Sequence, residues 1–186
     1  MNFKRHLRLA GEHAFLSPSQ YHWINYDPDR LTQRWYTWQR TKYGTEAHEF
    51  AATQINNKIV QEDDSTMLAQ YINDCIDFNM QAEVLLYYSD NCFGTADAIS
   101  FERNILRISD LKTGDSPTSE HQLEVYAALF SLEYDVDPYD IEIELRIYQH
   151  DDVRVYDAEP FDIMNIAKKI IIFDHRIEQL KREEAS

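Results

Sequence analysis

The chain has 186 residues, 44% of them apolar and 13% aromatic, which suits one folded domain with a real core and excludes a disordered chain. Two cysteines, Cys75 and Cys92, make neither a disulfide framework nor a zinc-site spacing, so reduced thiols are expected. No stretch approaches the roughly 18 apolar residues of a membrane helix, and the start MNFKRHLRLAGEHAF lacks a signal-peptide core, so a soluble cytoplasmic protein without a membrane partner is expected. The net charge of −15 argues at first against nucleic acid, whose binding is driven by cations. The charge is uneven, however: residues 1–58 carry eight Lys/Arg against five Asp/Glu, and residues 59–186 carry ten against twenty-eight. A DNA-facing surface would therefore draw on the N-terminal third, leaving the acidic remainder to solvent or to a protein partner.

Ser17-Pro-Ser19 offers a helix N-cap, and Gln20 to Asn25 reads as a short helix stopping near Asp27-Pro28. Asp29 caps a second helix, from Arg30 to about Lys42, with Leu31, Trp35 and Trp38 on one face and Arg30, Arg34 and Arg40 around the rest. Gly44 is expected to break it, Thr45 to cap a third helix over 46–60, and Ser65 to open a fourth with Leu68, Ile72, Cys75 and Ile76 as its stripe. The period then changes. Glu83–Tyr88, Phe93–Phe101 and Ile105–Lys112 read as three strands separated by tight turns. A loop follows over Thr113–Pro117, then a helix over 120–134, a hairpin with arms at 141–149 and 153–157, and an amphipathic helix from Phe161 to Lys181. The order implies an α/β fold, a mixed central sheet flanked by helices. It reads as one domain: a helical part over 1–80, a meander and its following helix over 81–134, and a C-terminal hairpin and helix over 135–186.

The meander carries the chemistry. Asp97 on one strand and Asp110 on the next can approach each other, and Ile108, Asp110 and Lys112 share a face by strand alternation. Two carboxylates beside a lysine in an apolar strand pair are costly unless compensated, and a hard divalent cation compensates them. Such an ion activates water and offsets charge on phosphorus, and Lys112 would hold the phosphate or the attacking water. An isolated D-x-K, by contrast, is usually two strand-edge residues and a surface lysine. Gln122 and Tyr126 share a face of the next helix at i and i+4. Gln122 also fits a capping box with Ser119, and Tyr126 fits simple packing. Upstream, Gly44-Thr-Glu-Ala-His48-Glu49 puts an imidazole and a carboxylate on a helix, where a single histidine is more often structural than ligating.

Taken in order, Gly44 to His48-Glu49, Gly94-Thr-Ala-Asp97, Asp110-Leu-Lys112 and Gln122-Leu-Glu-Val-Tyr126 resemble the signature of RecB-like nucleases in the PD-(D/E)XK superfamily. The segment His13-Ala-Phe-Leu-Ser-Pro-Ser19 with Trp23-Ile-Asn is similar to the opening of the phage- and prophage-borne members. The likeness spans about residues 13–130. It implies a PD-(D/E)XK, restriction-endonuclease-like core. It also implies that His48, Asp97, Asp110 and the main-chain carbonyl of Leu111 bind Mg²⁺ or Mn²⁺. Lys112 would be the catalytic lysine, with Gln122 and Tyr126 ordering it or touching the DNA backbone, and Glu49 an acid standing behind the ligands. Relatives with an iron–sulfur cluster need cysteines that this chain lacks, so no such cluster is expected.

The resemblance therefore implies a DNA nuclease, an exonuclease or end-processing enzyme of phage recombination or DNA processing, acting alone or with a phage annealing protein. Arg34, Arg40 and Lys42 are the candidate DNA contacts; Trp35 and Trp38 are read first as core, with base stacking as the alternative. The competing class is a catalytically silent binding or regulatory protein on the same scaffold, its acidic surface engaging a protein partner.

Overall fold

The helix that carries His48 is twice as long as its sequence suggests. A computed structural model describes residues 14–114 and 119–184, which divide at Tyr43/Gly44 into two units. The basic opening segment with His13, and most of the loop expected over 113–117, lie outside the described residues. In the first unit a 3-10 helix, Pro18–Asn25, begins on a proline whose fixed φ suits a first helical position. Trp23 Nε1 donates to Ser17 O at 3.0 Å. Phe15 meets Trp35 edge-on with ring centroids 5.1 Å apart, and Trp35 stacks on Trp38 at 5.2 Å, so the two tryptophans engage each other first.

Helix α1 runs unbroken over Pro28–Asn56, where two helices separated at Gly44 were expected. Asp27, not Asp29, caps its start, accepting from Arg30 N at 2.8 Å. A glycine inside a helix costs only about 1 kcal/mol, too little by itself to stop a helix. The glycine serves a close approach instead: a Cβ at position 44 would stand 2.8 Å from Thr113 Oγ1. The helix closes with Lys58 at φ 55° and Ile59 N donating to Gln54 O, a left-handed C-terminal cap.

In the second unit α2, Met67–Asp77, is capped by Thr66, one residue later than the expected Ser65; its hydroxyl accepts from Ala69 N at 3.2 Å. Five strands follow: β1 (Gln81–Ser89), β2 (Cys92–Glu102), β3 (Ile105–Lys112), β4 (Glu142–Gln149) and β5 (Asp152–Asp157). They pair in sequence order, antiparallel except for β3 with β4. That parallel pair needs a crossover, and α3 (His121–Tyr134) supplies it. A last helix, α4, spans Pro160–Glu184.

Both faces of the sheet are covered. On one, Leu86, Ile99, Leu106, Ile108, Leu145 and Ile147 pack against Leu123, Ala127 and Phe130 of α3 and Ile163 and Ala167 of α4. On the other, Ala82, Ala98, Leu111 and Tyr148 pack against Ala51 and Ile55 of α1 and Tyr71, Ile72 and Cys75 of α2. The unit is thus an α/β structure with a five-stranded mixed sheet between helices. No helix among the described residues is long and apolar enough to cross a membrane.

Candidate functional site

The end of the sheet where β3 finishes gathers most of the residues singled out above. Gly44 and His48 are one helical turn apart on α1, so the close approach at Gly44 also brings His48 to this end. His48 Nδ1 lies 3.3 Å from Asp97 Oδ2. From the opposite face, Gln122 at the start of α3 accepts from Lys112 Nζ at 3.3 Å. Lys112 Nζ also donates to Asp110 Oδ1 at 2.8 Å. The site is therefore built from both layers of helices around two neighbouring strands.

Asp97 owes its position to a reversal in β2. Residues two apart in a regular strand share a face, yet Ala96 packs in the α3-side core and Ala98 in the α2-side core. β1 reverses opposite it, with Ala82 on one side and Val84 on the other. Between them Glu83 adopts φ 58°, a left-handed conformation that costs a side-chain-bearing residue on the order of 1 kcal/mol. Pairing of Ala82 with Ala98 and Val84 with Ala96 sets Glu83 across from Asp97. Pairing of β2 with β3 ends at Ala98–Ser109, and beyond it Leu111 N–H donates to Asp97 Oδ2 at 3.1 Å.

The electrostatics are tense. Asp97 is pushed up to about 6, first by burial and then by the charge of Asp110, against the pull of His48, the Leu111 amide and Lys112. Asp110 is 3% exposed, and its Oδ2 has no hydrogen-bond partner. An orphaned buried acceptor costs about 1–3 kcal/mol. Lys112 offsets one oxygen of that carboxylate and leaves the other. These are the features of a place where a cation would fit: repelling carboxylates, a bare buried oxygen and an imidazole at hand. Among the described residues, the metal-ligating atoms that converge within 4.8 Å of one another belong to His48, Asp97 and Glu83. Asp110 stands beside this trio, tied to Lys112. Leu111 enters through its main chain, its side chain being buried.

Two other expectations take a different form. The capping box is not made: Ser119 Oγ accepts from His121 N at 3.3 Å, α3 has no side-chain cap at Glu120, and the Gln122 amide oxygen faces Lys112. Tyr126 donates its hydroxyl to Thr95 O at 2.6 Å, and its ring fills the space a Cβ on Gly94 would need, 3.1 Å away. Tyr126 thus clamps β2 two residues before Asp97. Glu49 is exposed and outside the converging trio. Arg34, Arg40 and Lys42 are exposed on the first-unit part of α1.

Glu83 is the residue that sequence reasoning missed. It stands at the start of an apolar run, EVLLYY, where a carboxylate reads as the solvent end of a strand. Compared with protein-family models and with curated proteins, the sequence matches none.

Proposed function

We propose that the chain is a divalent-cation-dependent deoxyribonuclease with a PD-(D/E)XK core of the RecB-like kind, hydrolysing phosphodiester bonds at DNA ends. The observation that carries the reading is the pairing of Asp110, Lys112 and Gln122 beside His48 and Asp97, with a buried carboxylate oxygen left bare. His48, Asp97, Asp110 and the Leu111 carbonyl would hold Mg²⁺ or Mn²⁺. A bound cation would supply Lewis acidity, lowering the pKa of a water and offsetting charge on the phosphate.

The protein groups have separable tasks. Lys112 is oriented by Asp110 Oδ1 and Gln122 Oε1, leaving one ammonium proton for a non-bridging phosphate oxygen or the attacking water. Water adds to phosphorus and gives up a proton to solvent, the bond to the leaving sugar oxygen breaks, and that oxygen takes up a proton from solvent. Asp97 orders the Leu111 amide, and hence the main chain between Asp110 and Lys112. Tyr126 fixes the β2 backbone from which Asp97 projects.

The test is incubation of end-labelled linear, circular and single-stranded DNA with the protein in Mg²⁺, Mn²⁺ or EDTA. Shortening of linear DNA that stops in EDTA is expected, with Mn²⁺ the better ion because an imidazole ligand suits it. Undiminished cleavage in EDTA would remove the cation from the mechanism. Folded protein that binds the cation yet leaves every DNA intact would favour the silent binding role, which the charge of −15 supports.

A further inference from the structure

We propose that Glu83 is a further metal ligand, converging with His48 and Asp97 and adding a third carboxylate to the His48, Asp97 and Asp110 site for a divalent first-row cation. The inference rests on reading this end of the sheet as a cation-dependent hydrolytic centre, and it assigns a donor from a strand that carries no other candidate ligand. Two atoms bonded to one ion at about 2.1 Å lie roughly 3 Å apart when adjacent and about 4.2 Å apart when opposite. His48 Nδ1 and Asp97 Oδ2, at 3.3 Å, are already near the adjacent spacing. The donors of all three residues lie within 4.8 Å of one another, so a small side-chain rotation closes the set.

Three independent features lead to the same place. Glu83 sits across the strand pair from Asp97, where two carboxylates face each other. Like charges opposed across a sheet are destabilising, so the pairing is unfavourable unless something positive lies between them. The neighbouring Asp110 keeps Oδ2 buried with no partner, although Lys112 and the Leu111 amide are close enough to satisfy other oxygens of the site. Finally, the donor set is mixed. An imidazole favours the later first-row ions over Mg²⁺, while the carboxylates still admit a hard cation, so Mn²⁺ is the ion expected to bind best among those that support phosphodiester hydrolysis. Glu83 is exposed, so a ligand there would also sit at the solvent side of the ion, beside the approach for a phosphate.

The experiment is calorimetric titration of Mn²⁺ into wild type, Glu83→Gln and Glu142→Gln, with melting temperatures in EDTA and in Mn²⁺. Glu142 is exposed at the opposite end of β4 and makes the same change in net charge. Glu83→Gln is expected to weaken Mn²⁺ roughly tenfold or more, no less than losing a supporting partner of a ligand does. Glu142→Gln should stay close to wild type. In EDTA, Glu83→Gln should melt at or above wild type, because one of two opposed charges is gone; in Mn²⁺ it should melt below. A merely structural Glu83 would not give that reversal. Should Glu83→Gln fail to fold, Glu83→Asp keeps the charge on a shorter arm and is expected to weaken Mn²⁺ to a smaller extent. Wild-type affinity in Glu83→Gln, or in Glu83→Asp where only that variant folds, overturns the inference, and if the wild type cleaves DNA the nuclease reading survives it. Loss of Mn²⁺ in Glu83→Gln with no cleavage by wild type has the opposite meaning: the site stands and the hydrolytic reading falls.

Discussion

In metal-free protein Asp97→Asn should stabilise the fold, and the size of the gain can be worked out. The Asp97 carboxyl is raised from 3.8 to about 6, so the folded state holds its proton more firmly than the unfolded chain. Stability is thus unaffected below about pH 4, falls as pH rises through about 6, and levels off above it once the buried charge is fully present. Two pH units correspond to about 3 kcal/mol, and the 20% exposure of the side chain lowers that through solvent screening. Asparagine keeps an oxygen for the Leu111 amide at the same reach and carries no charge. At pH 7.5 in EDTA the variant should gain roughly 1–3 kcal/mol. For a chain of this length that is about 2–4 °C in Tm per kcal/mol. At pH 4 the two proteins should coincide. Mn²⁺ should reverse the order, because a cation at 1,000 times its Kd adds about 4.1 kcal/mol to the protein that binds it. Urea unfolding at several pH values, in EDTA and in Mn²⁺, reads all of this. An Asp97→Asn protein less stable than wild type at pH 7.5 in EDTA would refute the electrostatic argument.

Asp110→Ala should lower Mn²⁺ affinity in calorimetry, whereas Lys112→Ala should leave it nearly intact while turnover collapses. Because Gln122 makes no cap, Gln122→Ala should leave the melting point in place and slow cleavage. Tyr126→Phe should lose about 1 kcal/mol of stability in denaturant melts, since its hydroxyl bonds a backbone carbonyl. Gly44→Ala should weaken Mn²⁺ by pressing the His48 helix off Thr113. Adding Thr113→Ala should restore binding and raise Tm, helix propensity then contributing about 1 kcal/mol. Replacing Arg34, Arg40 and Lys42 together should flatten the salt dependence of DNA binding by about 0.9 in log–log slope for each phosphate no longer neutralised, while replacing Lys168 and Lys169 should change it little.

The strands were legible because their period of two is unmistakable and their turns are short. β3 falls on the same residues in sequence and structure, and β1, β2, β4 and β5 shift by one or two at their ends. The mixed sheet was legible too, but which strands make its parallel pair, β3 and β4, was not, since that depends on how α3 packs and not on any local preference. Gly44 misled for a definite reason. Propensity treats glycine as a stop, but here the missing side chain is what lets α1 lie against Thr113, and tertiary contact outweighs a cost of about 1 kcal/mol.

The same distinction separates the site residues that sequence reveals from the one it hides. Asp110 and Lys112 are two apart on a regular strand, so their shared face follows from alternation alone. Glu83 required two irregularities. A turn at Ser89-Asp90-Asn91 fixes no register by itself, and pairing carried back evenly from Ser89 opposite Cys92 would set Glu83 against Ala98 and Asp97 against Val84. An extra residue near Tyr88 shifts the register by one, from Ser89 opposite Cys92 to Tyr87 opposite Phe93. A one-residue slip moves every side chain to the other partner and face, so the slip is what sets Glu83 against Asp97. Both strands then reverse at that pair, the core changing sides between Ala82 and Val84 and between Ala96 and Ala98. A periodic reading assumes an unbroken period. It therefore fails at the one pair of positions where breaking the period brings two carboxylates together.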